Sequence, residues 1–240
     1  MKQFKITSYE TFSTVDGPGI RSVIFLAGCP NRCIYCHNPE CFINSEYKFF
    51  SFDELSLIYD KYKVYYKNNG GLTFSGGEPL LQAQEINEFY SINSINYCLE
   101  TSGSIYSKET EVALKNSSFV YLDLKFASND LYKKYVGDTF DNTLKTLKYL
   151  EENNIKHVIR QVVVPGINDS YEMLAKTLIL LKNKFKTRTI EFLPFHNMCY
   201  EKYERLNIEF KLKNVKSLDN AYLNKLKDEL RKEFSDFNII

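Results

Sequence analysis

Three things are missing from this sequence: a long apolar run, a strong charge of either sign and a second cysteine pair. Nowhere in the 240 residues do about 18 apolar residues run together, so no membrane-spanning helix is expected. The opening Met1-Lys2-Gln3-Phe4-Lys5-Ile6 has no apolar signal core, and a cytoplasmic protein is the default. Lys and Arg number 31 against 30 Asp and Glu, so bulk charge gives no reason to bind nucleic acid. There is no internal linker, low-complexity tract or repeat. One α/β domain over residues 1–240 is expected, since chains of this length bury a single good core.

The cysteines that are present cluster. Cys29, Cys33 and Cys36 form a C-x3-C-x2-C loop, and Cys41, Cys98 and Cys199 stand alone. Structural zinc prefers two C-x2-C pairs that close four ligands, and the second pair is absent. A disulfide framework suits short secreted chains. A two-cluster ferredoxin would use a fourth cysteine nearby. Three thiolates on one loop suit three corners of an iron–sulfur cluster, with an open fourth corner where a small molecule reacts. Cys41, Cys98 and Cys199 read as core cysteines, since Cys packs as a small hydrophobe.

Strand-like and helix-like segments alternate. Strands are expected at Ser22–Leu26, Leu72–Phe74, Ile95–Leu99, Phe119–Leu124, His157–Val164 and Thr189–Leu193. Helices are expected at Phe52–Lys67, from about Gln82, and at Lys108–Lys115, Leu131–Val136, Thr143–Asn153, Tyr171–Lys184 and Asp219–Phe234. Six β-then-α units imply parallel strands with crossover helices. They fit an α/β fold, a partial (β/α)6 barrel with outer helices, with a doubly wound sheet as the alternative. Either fold gathers function at the strand carboxyl ends.

The unusual polar clusters fall at those ends. They are the cysteine loop, Ser75-Gly76-Gly77-Glu78-Pro79, Glu100-Thr101-Ser102-Gly103, Asp123-Leu124-Lys125 and Pro194-Phe195-His196-Asn197. Each alone is weak; a lone Asp-x-Lys is most often a solvated pair. Together they make a site. Gly76 and Gly77 let backbone approach a ligand. Glu78 suits an ammonium group, and Lys125 a carboxylate or hydroxyls. Asp123 and Glu100 supply hard oxygens. Tyr35 offers a flat face to a ring. A ligand with an amino group, a carboxylate, a ribose and a purine would meet each of these.

C-x3-C-x2-C with Tyr35 before its last cysteine resembles the signature of the radical S-adenosylmethionine superfamily. Thr14-Val15-Asp16-Gly17-Pro18-Gly19-Ile20-Arg21 and Cys36-His37-Asn38-Pro39 narrow the resemblance to activating enzymes of glycyl-radical enzymes. It covers nearly the whole chain, without the ferredoxin-like insertion some relatives carry. It implies a [4Fe–4S] cluster on Cys29, Cys33 and Cys36 and S-adenosylmethionine on the fourth iron. Gly76, Gly77 and Glu78 would hold the methionine end. Tyr35, Cys36 and His37 would face the adenine. Asp123, Leu124, Lys125 and His196 would line the rest. Glu100, Thr101 and Asp123 match positions that bind a monovalent cation, and Asp16 lies in a segment near the partner's glycine. The implied partner is a glycyl-radical enzyme, pyruvate formate-lyase before others, with flavodoxin or ferredoxin as electron donor. Glu100 stands where many relatives have Asp. Cys199 stands where they often have Gly, so a differently shaped loop is expected near His196. Three readings compete: the same chemistry on another glycyl-radical enzyme, a radical enzyme with a small-molecule substrate, and a plain iron–sulfur electron carrier. The last has no use for Gly76-Gly77-Glu78 or Lys125.

Overall fold

The computed structural model describes residues 2–43 and 46–240. Along the chain run β1 (Gln3–Ser13), β2 (Arg21–Leu26), β3 (Lys48–Ser51), α1 (Phe52–Tyr66), β4 (Gly71–Gly76), α2 (Ala83–Asn93), β5 (Tyr97–Thr101), α3 (Lys108–Asn116) and β6 (Phe119–Asp123). There follow α4 (Asn129–Tyr135), α5 (Asp141–Glu152), β7 (His157–Val163), α6 (Tyr171–Lys184), β8 (Thr189–Pro194), α7 (Tyr200–Arg205), α8 (Asn220–Glu233) and β9 (Asn238–Ile239). The expected alternation of parallel strands and helices is the observed architecture. The chain divides into two compact units. One takes in the chain up to Pro30, Asn38–Leu122 and Asn142–His157; the other takes in Asn31–His37, Asp123–Asp141 and Val158–Ile240.

In the first unit the strand order is β3-β1-β2-β4-β5-β6. β2, β4, β5 and β6 pair in parallel. β1 and β3 were not anticipated, and both of their pairings are antiparallel. β1 escapes a pattern reading because only Phe4, Ile6 and Ser13 of its eleven residues are buried. Helix starts follow local chemistry. Ser51 caps α1: its hydroxyl accepts from the Glu54 N–H, while its own N–H donates to the Glu54 carboxylate. Ser107 and Thr110 do the same for α3. Phe4, Phe52, Phe74 and Phe89 form an aromatic centre, with Phe4 5.0–5.7 Å from each of the others.

Arg21, at the start of β2, is fully buried. Its guanidinium donates to the carbonyls of Pro18, Asn69 and Leu72, to Thr73 Oγ1 and to Asn96 Oδ1. All five acceptors are neutral. Thr73 passes the restraint on by donating to the Asp16 carbonyl at 2.6 Å. Arg21 thus fastens the Asp16 loop to the starts of β4 and β5. Arg21→Met would strand several buried acceptors. We expect it to lower the free energy of unfolding by at least about 3 kcal/mol, read from urea denaturation.

In the second unit β7, β8 and β9 pair in parallel. Tyr35, Phe126, Tyr132, Phe195, Tyr203 and Phe210 dominate its core. Ser170 caps α6 and Asp219 caps α8. Among the described residues no helix is long and apolar enough to cross a membrane.

Candidate active site

The turn after β4 is laced to the end of β2. Gly77 N donates to Leu26 O and Glu78 N to Gly28 O, both at 2.9 Å. This close approach explains the two glycines. Gly76 has φ +106°, and a Cβ there would lie 2.4 Å from Leu26 N; a Cβ on Gly77 would lie 2.1 Å from Gly28 O. The space a side chain would take at either glycine is filled by the chain's own backbone. The Gly76 carbonyl accepts from Asn38 Nδ2 at 3.2 Å.

Glu78 points inward. It is fully buried, and four donors meet its carboxylate. Thr101 Oγ1 and Leu80 N reach Oε1 at 2.5 and 3.0 Å; Ser102 Oγ and Ser102 N reach Oε2 at 2.5 and 2.9 Å. Burial raises its pKa, against the pull of those four bonds. These four donors of its own chain tie the ends of β4 and β5 together. Ser102 O in turn accepts from Thr143 Oγ1 at 2.7 Å. Glu100 receives the Ser75 hydroxyl at 2.8 Å. Thr101, expected as a cation ligand with Glu100, has its hydroxyl engaged by Glu78 and by Gly103 N. The Asp16 carboxylate accepts from Ser13 Oγ. Cys29 follows Gly28, whose N–H donates to the buried Cys41 at 2.5 Å.

The second unit carries the other half of the motifs. Cys36 N donates to Cys33 O at 3.1 Å, closing the turn between the two cysteines. Arg32 N and Ile34 N donate to Val136 O and Tyr135 O, at 2.8 and 3.0 Å. Lys125 pairs with Asp123 at 3.0 Å, and its ammonium lies 6.0 Å from the centre of the Tyr35 ring. Burial opposes the Lys125 charge, yet Asp123, Cys33 and Tyr35 outweigh it and hold the pKa well above the usual lysine value. Burial pushes the Cys33 thiol up, with Lys125 pulling the other way. Leu124 is buried, and its N–H donates to Arg160 O. The rings of His37 and His196 lie 4.1 Å apart. His37 Nε2 bonds to His196 O at 2.9 Å; the carbonyl only accepts, so Nε2 carries the proton. Burial, then His196, lowers the His37 pKa.

Cys199 stands in the loop after His196. It caps α7 with φ −76°, an ordinary right-handed conformation, so cysteine stands there without strain. Like Cys41 and Cys98 it is buried, as expected of the three isolated cysteines. Among the described residues no three His, Cys, Asp or Glu side chains converge on a single metal ion.

Sequence reasoning missed several residues here. Gln161 of β7 donates to Lys125 O at 3.1 Å, and Tyr132 Oη accepts from Lys125 N at 2.9 Å. Arg160 and Glu191 form a 2.7 Å ion pair across β7 and β8. Lys202 and Tyr203 reach the cysteine loop. None of these stands in a motif, and only the fold brings Lys202 and Tyr203 to the loop.

Residues 23–178 match the radical SAM superfamily, and the chain belongs to it. The pyruvate formate-lyase-activating enzyme of Clostridium pasteurianum is 36% identical over 231 residues, covering 95% of this chain and 97% of that protein. The pyruvate formate-lyase 1-activating enzyme of Escherichia coli K12 is 34% identical over 218 residues, covering 88% and 89%. Streptococcus suis SuiB, solved bound to the precursor peptide SuiA, matches with a TM-score of 0.63 at 20% identity, covering 90% of this chain and 47% of SuiB. That likeness is one of fold alone.

Proposed function

We propose that the protein is a glycyl-radical activating enzyme acting on pyruvate formate-lyase. The single observation that carries this is the 36% identity to an enzyme of that activity over 95% of the chain. Cys29, Cys33 and Cys36 hold a [4Fe–4S] cluster, and S-adenosylmethionine binds beside it. The residues present fit both groups. Three thiols on one loop are the usual donors for such a cluster. Tyr35 Oη, Gln161 Oε1 and His196 Nδ1 are buried polar atoms without hydrogen-bond partners, all in the second unit. Such atoms are costly unless a ligand meets them. Bound there, the cluster and S-adenosylmethionine would supply reductive cleavage of a carbon–sulfur bond, the source of the radical that takes a hydrogen atom from the partner's glycine.

The chain's own residues orient and neutralise. Lys125, held by Asp123, meets the cofactor's negative or hydroxyl groups. Tyr35 and His37 flank Cys36 in the loop that faces the adenine, and Asp123, Leu124, Lys125 and His196 line the rest of the cofactor site. Glu78 acts through the turn it clamps, setting the backbone of Gly76 and Gly77 against the methionine end. Glu100, with Thr101 and Asp123, is assigned to a monovalent cation, and Asp16 to the partner's glycine loop. All 240 residues form one functional domain. The enzyme works in the cytoplasm with flavodoxin or ferredoxin as reductant.

The test is direct. Anaerobically reconstituted protein, given a chemical reductant, S-adenosylmethionine and pyruvate formate-lyase, should generate a glycyl-radical EPR signal on the lyase. Deoxyadenosine formation without that signal would move the assignment to another substrate.

A further inference from the structure

The distal part of the cysteine loop is held by a segment 159–167 residues away in sequence. Three bonds join them. His37 Nε2 donates to His196 O at 2.9 Å, Lys202 Nζ to His37 O at 3.0 Å, and Tyr203 Oη to Cys36 O at 3.0 Å. The segment is itself anchored. Tyr203 is 5% exposed, and its ring lies 4.6 Å from that of Phe210. Lys202 N and Tyr203 N donate back to Cys199 O, which fixes the first turn of α7.

We propose that Lys202 and Tyr203 are positioning residues for the iron–sulfur cluster. They fix the Cys36 and His37 carbonyls, which follow its third thiolate, and Lys202 brings its positive charge onto the second of these. This rests on the reading above that Cys36 is a cluster ligand. The two side chains divide the work. Tyr203 supplies geometry only: its phenol orients a peptide group and brings no charge. Lys202 supplies both, because an ammonium near a centre that gains an electron favours the reduced form. Outer groups that orient a ligand change metal retention by about 10–100-fold when removed.

Wild type, Lys202→Met, Lys202→Arg and Tyr203→Phe are reconstituted with iron and sulfide under anaerobic conditions. Two properties are measured: the cluster midpoint potential by EPR-monitored redox titration, and the rate of iron loss to a chelator. Lys202→Met should shift the midpoint to a more negative value, and Lys202→Arg should restore it. Tyr203→Phe should keep the wild-type midpoint but lose iron about 10-fold faster. A purely structural role for Lys202 predicts no shift in potential. The inference is overturned if Lys202→Met keeps the wild-type midpoint, or if Tyr203→Phe releases iron at the wild-type rate. If wild type itself takes up no cluster, the cofactor assignment falls and this inference with it. Lys202 is only partly buried, so its variants test the charge without opening the core.

Discussion

Alanine at Cys29, Cys33 or Cys36 abolishes cluster assembly and glycyl-radical formation, while alanine at Cys98 leaves iron content at the wild-type level. The first three thiols share one loop, and each replacement leaves only two cysteines there. The isolated cysteines are poor substitutes. Cys41 is buried under Gly28, Cys98 is fully buried in β5 beside Thr73 of β4, and Cys199 caps α7 inside the core. Cys98→Ala removes one buried sulfur and should cost about 1 kcal/mol in stability, visible as a small fall in unfolding temperature. Iron analysis and visible absorption of the four reconstituted variants decide the matter. Equal iron in all four would remove the ligand assignment.

The six parallel strands were legible because each is a short apolar run bounded by turn residues. Their observed limits fall within about three residues of the expected ones. α6 was read from Tyr171 to Lys184 without error, since Ser170 announces its start and an apolar stripe runs its length. β1 and β3 were not legible: β1 is mostly exposed beyond Ile6, and β3 has four residues with only Phe50 buried. α7, with six residues, is too short for a helical period. The motifs at the strand ends were legible as positions. What each side chain does there was not. Glu78 looks like a ligand group in sequence, and its clamp on Thr101 and Ser102 shows only in the fold. Arg21 looks like the tail of a motif and turns out to hold its loop in place. Lys202 and Tyr203 carry no signal at all, because their role exists only once distant segments are folded together.

Glu78→Gln should destabilise the protein by about 2 kcal/mol and raise the Michaelis constant for S-adenosylmethionine. All four neighbours of the Glu78 carboxylate donate. An amide puts its NH2 at one of the two oxygen positions, where Leu80 N or Ser102 N donates; a backbone N–H cannot turn to accept as the Thr101 and Ser102 hydroxyls can, and it is left buried without a partner. The turn carrying Gly76 and Gly77 then loosens from Thr101 and Ser102. The pH dependence has a definite sign. Burial sets the folded pKa above the ordinary 4.5, so the folded state holds the proton more tightly than the unfolded chain. The contribution of Glu78 is fully present below the unfolded value and declines as pH rises through the folded one. Gln does not titrate, so the difference between wild type and variant should be larger at about pH 5 than at about pH 8. The hydroxyls allow this: Ser102 Oγ, 3.0 Å from Ser104 Oγ, turns to accept when the carboxyl is protonated. Urea denaturation of both proteins at the two pH values measures the difference. If Glu78→Gln matches wild type in stability at both but loses cofactor affinity, the carboxylate serves the ligand and not the turn.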